Sequence, residues 1–136
     1  MDIEIETVQA RIPVTVVTLH GRIDGSNYEQ AIDVAKQLYA SGTRSLLLDF
    51  CDVDFMSSAG LVALHKIILL MRGEKIDDTA SGWDALHAIA REGSTETPGH
   101  LKIFNPQPKV ANTLEMSGMD RFVEIYGDFK TAIDSF

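Results

Sequence analysis

The sequence predicts an α/β fold: a mixed, mainly parallel sheet of about five strands with about four helices and one further short helix on an insertion. Three observations predict it. Short apolar or β-branched runs, VTVVTL at 14–19, SLLLDF at 45–50 and HLKIF at 100–104, alternate with longer segments of helical periodicity; that order requires crossovers, which are right-handed between parallel strands. SLLLDF is apolar with little alternation, the pattern of a strand covered on both faces. The length of 136 residues, 45% of them hydrophobic and 24% charged, suits one core. Residues 1–136 therefore read as a single domain with an insertion at about 74–99.

Taken in order, Ile3, Ile5 and Val8 alternate with polar residues and predict a first strand, and the run after Pro13 predicts a second. HGRIDGSN at 20–27 is a polar connection. Tyr28, Ile32, Ala35, Leu38 and Tyr39 recur at helical spacing, with Ser26 or Asn27 as the cap and Ser41-Gly42 as the stop. After the third strand at 45–50, Leu61, Leu64, Ile68 and Met71 mark one face of a second helix ending near Gly73. The insertion holds Trp83, Leu86, Ile89 and Ala90 at the spacing of a short helix, which is expected to dock on the apolar positions Val62, Leu69 and Leu70. A strand at 100–104, a helix at 108–116, a strand at 122–126 and a helix at 128–136 complete the chain.

A net charge of −8 argues against tracking nucleic-acid phosphates and against binding anionic membranes. The longest apolar segment, LVALHKIILLM, is too short to span a bilayer and contains His65 and Lys66, and the first residues lack a basic and apolar leader. A cytoplasmic protein is the expectation. Cys51 is the single cysteine, which excludes an internal disulfide and a thiolate cluster, and its neighbours predict a small packing residue.

FMSSAGL, residues 55–61, places two hydroxyls between an apolar strand and an apolar helix. Ser57 or Ser58 stands where an N-cap is wanted, and a capping hydroxyl contributes about 1 kcal/mol. The small tip Ser58-Ala59-Gly60 also suits a docking surface. A phosphoserine at a helix N-terminus adds roughly −1.5 to −2 charges where the helix tolerates them and an apposed partner does not. A hydrolase elbow needs glycine at position 56, which is Met56. A relay of Ser58, His20 and Asp24 has in its favour that all three fall at predicted strand ends and that His20 is near Asp24 in sequence, and nothing more. His20, His65, His87 and His100 form no metal-binding spacing, and Asp49, Asp52 and Asp54 read as solvated loop carboxylates. No catalytic residue, metal or cofactor is assigned.

Together these segments resemble the STAS domain family, and within it the bacterial anti-sigma-factor antagonists. LHGRIDG at 19–25 is similar to that family's segment ending the second strand, LLLDFCDVDFMSSAGL at 46–61 to its strand and DSSGL-type turn, and 101–133 to its usual ending. The resemblance implies a regulatory module that binds an anti-sigma factor, usually a serine kinase, with a serine phosphatase as a further partner. It implies Ser58 as the phosphoacceptor that switches binding off, and a partner surface of Asp24, Ser57, Ser58, Ala59, Gly60 and Leu61. Ser57 replaces the family's aspartate before the acceptor, and the insertion at 74–99 is absent from the compact family pattern. The other reading is an unphosphorylated STAS scaffold or small-ligand sensor in a signalling complex.

Overall fold

A computed structural model describes residues 2–73 and 99–136. The expected helix and docking within the insertion lie outside these residues. The chain begins with β1 (Asp2–Gln9), β2 (Pro13–His20), α1 (Tyr28–Ala40) and β3 (Ser45–Asp52). It continues through α2 (Ser58–Met71), β4 (His100–Phe104) and α3 (Pro108–Met116), and finishes with β5 (Glu124–Tyr126) and α4 (Phe129–Asp134). The sheet order is β1-β2-β3-β4-β5; β1 runs antiparallel to β2 and every other neighbouring pair is parallel.

Because strand order follows chain order, three successive crossovers of one hand place α1, α2 and α3 on the same face of the sheet. The side-chain alternation of the strands shows this face directly. Val17 and Leu19 of β2, Leu46, Leu48 and Phe50 of β3 and Ile103 of β4 pack with Ile32, Ala35, Ala63, Leu64, Ile67, Ile68, Val110 and Leu114 of the helices. The opposite face carries a smaller cluster in which Val14, Val16 and Leu47 meet Ala132 and Ile133 of α4. As the uninterrupted apolar run SLLLDF predicted, β3 is buried on both sides.

The helix ends differ in detail from the sequence expectation. Asn27 occupies the position before α1, yet neither it nor Ser26 caps the helix with a side chain. The Asn27 Oδ1 accepts the Asp24 amide at 2.9 Å, and the Asp24 carbonyl takes the Asn27 and Tyr28 amides. Helix α2 buries far more than one stripe: Gly60, Ala63, Leu64, Ile67, Ile68 and Met71 face the core, and His65, Lys66 and Leu69 are buried as well.

At the predicted strand 122–126 the sheet begins only at Glu124. Gly118, at a φ of 77° that favours glycine, leads into a 3₁₀ turn over Met119–Arg121, and Met119 and Val123 reach inward to the core. Helix α4 lies within the expected 128–136, with Asp128 as its cap accepting the Thr131 amide at 2.9 Å and Ser135 closing its other end.

Cys51 corrects another expectation, since it is exposed and not packed. Thr18 pairs with Asp49 whereas His20 pairs with Asp52, so β3 holds one extra residue in this interval. Alternation from Phe50, which faces the helices, puts Cys51 on the opposite face beside this bulge, and Asp49 accepts its amide at 3.0 Å. Hydrogen bonding to Asp49 and partial burial push the thiol up to about 11, leaving little thiolate at neutral pH.

Candidate partner-binding site

The parallel strands present their carboxyl ends on one edge of the domain, the usual place for sites in α/β sheets. There β2 and β3 do not separate when the regular ladder stops. The Gly21 amide donates to the Asp52 carbonyl at 3.0 Å, the Ile23 amide to Phe55 at 2.9 Å, and the Ser57 amide back to Ile23 at 2.9 Å. Ile23 and Met56 form a parallel bridge, and both side chains are buried. This stitching lays the Asp24 loop beside the 55–61 turn.

Gly60 makes the close approach possible. A Cβ at that position would lie 2.7 Å from Met56 Cγ and 2.9 Å from the Ile23 carbonyl oxygen, so a side chain would force the two loops apart.

The structure resolves which serine caps α2. Ser57 adopts an extended backbone, φ −81° and ψ 177°, and its Oγ accepts the Gly60 amide at 3.3 Å. Ser58 is the first helical residue; its side chain is exposed and has no hydrogen-bond partner among the described residues. No acidic residue occupies the first turn, so nothing on the helix offsets the partial positive charge at its start. Ala59 and Leu61 are half-buried at the rim of the helical layer.

Asp24 is held within its own loop. Its Oδ1 accepts the Ser26 hydroxyl at 2.5 Å and the Ser26 amide at 2.9 Å. These bonds hold its carboxyl below the usual carboxylate range, so it is ionised at neutral pH.

His20 does not face Asp24, as the proximity in sequence had implied. Its Nδ1 lies 2.5 Å from Asp52 Oδ2 and its Nε2 3.6 Å from Glu4 Oε1. With Asp24 bonded to Ser26, the three members of the considered Ser58, His20 and Asp24 relay do not form one. The three loop aspartates also part company. Asp52 pairs with His20, Asp49 accepts from Thr18 and the Cys51 amide, and Asp54 is exposed. His65 lies buried in α2, edge-on to Phe122, and burial lowers its pKa to about 4; His100 is exposed and His87 falls outside the described residues.

A third loop, unpredicted from sequence, joins the site. Gln107 Nε2 donates to the Cys51 carbonyl at 3.0 Å, and Lys109 Nζ sits 5.4 Å from the ring centre of Phe55, which is 38% exposed. Phe55 could have been noticed as an apolar residue in a polar turn. The approach of Gln107 and Lys109 from over fifty residues away left no local signal.

The STAS domain profile matches residues 4–77, more than half of the chain, and spans both stitched loops. The chain belongs to the STAS domain family. Among solved structures, this STAS domain is similar to a protein from Thermotoga maritima assigned as an anti-sigma factor antagonist, with a TM-score of 0.66 and 18% identity over 98% of this chain and 92% of that one. SpoIIAA, described as an anti-sigma factor antagonist, matches in its unphosphorylated form with a TM-score of 0.53 and 20% identity, covering 98% and 96% of the two chains. The phosphorylated form of the Bacillus cell fate determinant SpoIIAA matches at 0.57 and 18%, covering 98% of each. At these identities the structures establish a shared fold. No match was found among curated protein sequences. No helix among the described residues is long and apolar enough to cross a membrane.

Proposed function

We infer that this STAS domain is a cytoplasmic protein-binding module that catalyses no reaction, engages an anti-sigma factor with serine kinase activity, and is switched off by phosphorylation of Ser58. The observation that carries this reading is the division of labour between the two serines. Ser57 spends its hydroxyl on the Gly60 amide, whereas Ser58 is exposed beside it on the first turn of α2. A phosphate on Ser58 meets the positive end of the helix, so the fold accommodates it. A partner seated on Asp24 and residues 57–61 meets an added dianion that it must desolvate, and binding is lost.

The test is affinity capture from native lysate with wild type, Ser58→Ala and Ser58→Asp, with mass spectrometry of the captured proteins and of the peptide containing Ser57 and Ser58. Capture of a kinase-like anti-sigma factor by wild type and Ser58→Ala but not by Ser58→Asp, with phosphate on Ser58, supports the switch. Identical capture by all three with an unmodified peptide replaces it with an unphosphorylated scaffold.

A further inference from the structure

The His20 cluster stands at the junction between the regular β2–β3 ladder and the stitched loops of the site. His20 and Asp52 are opposite one another in register, just past the bulge. Their side chains meet at 2.5 Å on one side of the chain while the Gly21 amide and the Asp52 carbonyl meet at 3.0 Å. The next contacts along the same seam are Ile23 to Phe55 and Ser57 to Ile23, the bonds that hold the Asp24 loop against the α2 cap. Between the two groups of contacts lie Gly21, whose φ is 91°, and exposed Arg22. The seam leaves the sheet through the His20–Asp52 pair, the Gly21 amide on the Asp52 carbonyl and Asn27 Nδ2 on the Arg22 carbonyl at 2.8 Å, and of these contacts the His20–Asp52 pair is the one that titrates.

We propose that His20 is a positioning residue that clips the Asp24 loop to the Ser57–Ser58 turn through Asp52, with Glu4 favouring its charged form. This deepens the reading of the site as a partner surface and rests on it. The groups facing His20 are Asp52 from β3 and, from β1, Glu4 at 3.6 Å with Asp2 opposite in register; Arg22 lies two residues along its own segment. The Nε2 atom is buried without a hydrogen-bond partner among the described residues, so in the neutral ring its lone pair points toward the Glu4 carboxylate. Protonation turns that repulsion into attraction while the Asp52 bond persists. The Asp52 hydrogen bond and the Glu4 charge raise the His20 pKa above the ordinary 6.5. A group raised on folding contributes fully below its unfolded value, and its contribution is lost as pH rises through the raised value. The clip is therefore closed at mildly acidic pH and loosens toward alkaline pH.

The experiment is amide hydrogen exchange by NMR on the isolated chain, read as protection factors at Ile23 and Ser57, with Leu48 in the centre of the sheet as reference. Wild type is followed across the His20 titration, and His20→Gln and Asp52→Asn at one pH below it. Protection at Ile23 and Ser57 should fall about fivefold or more in both variants and on raising the pH of wild type, with Leu48 unchanged. Asp52→Asn should also lower the His20 pKa. Unchanged protection at Ile23 and Ser57 in both variants, or an equal loss at Leu48, overturns the proposal. Since no partner is present, failure here leaves the Ser58 switch standing, and failure of lysate capture leaves the exchange result standing.

Discussion

The two faces of the sheet are built on different principles. The face toward α1, α2 and α3 is a continuous apolar layer running from Val17 to Leu114, with Leu46 fully inaccessible at its centre. The other face has α4 over one part of it and settles the remainder with polar pairs. Lys102 donates to the Ser135 carbonyl at 2.8 Å and hydroxyl at 2.9 Å and lies 3.2 Å from Glu124; Thr18 reaches Asp49; His20 reaches Asp52 and Glu4. Apolar burial scales with area and dominates folding, whereas exposed ion pairs contribute little. The comparison teaches that stability is concentrated under the helices. The polar face and the loops at the strand ends are free to specify contacts and geometry.

The largest test of that division is Leu46→Ala, which removes a fully buried side chain from the layer between the sheet and the helices. It should cost about 2–5 kcal/mol in denaturant unfolding. A loss comparable to that of a surface change would break the comparison. Gly60→Ala comes next, because its Cβ would press on Met56 and the Ile23 carbonyl. It should cost about 1–3 kcal/mol and shift the Ile23 and Ser57 amide resonances, joining the helical layer to the site.

The third test concerns acid. Burial lowers the His65 pKa from 6.5 to about 4, so between those values the unfolded chain binds a proton that the folded chain refuses. Stability should fall by roughly 3 kcal/mol as pH drops through this window, and His65→Leu should flatten that part of the profile in thermal unfolding. The smallest effect belongs to the opposite face. Lys102→Met keeps the aliphatic stem and removes the charge, and should change stability by less than about 1 kcal/mol, since the Glu124 left behind is 64% exposed and stays solvated. A loss equal to that of Leu46→Ala would show that the polar face carries the fold too.

Much of this was readable before any coordinates. The β-branched run after Pro13 told where β2 lies, the unbroken apolar run of β3 that this strand is covered on both faces, and the spacing of Tyr28, Ile32 and Ala35 where α1 lies. The sites of departure share a cause. Cys51 looks like a packing residue because its neighbours are apolar, but it falls on the face away from the helices, at a stretch that α4 leaves exposed. Residues 122–126 look like a strand until Met119 and Val123 are drawn into the core ahead of it.

The site divides along the same line. The hydroxyl turn is a local feature that the order of residues was enough to nominate, and Asp24 was nominated by the resemblance of LHGRIDG to the family's segment. Assigning the cap to Ser57 and exposure to Ser58 required backbone geometry that one residue's shift would exchange. Pairing His20 with Asp52 and Glu4 in place of Asp24, and bringing Lys109 beneath Phe55, required strands and loops far apart in the chain. Period and polarity are local and determine elements and their buried faces. Which side chains meet at the ends of those elements is decided by register, bulges and crossovers, which exist only once the sheet has formed.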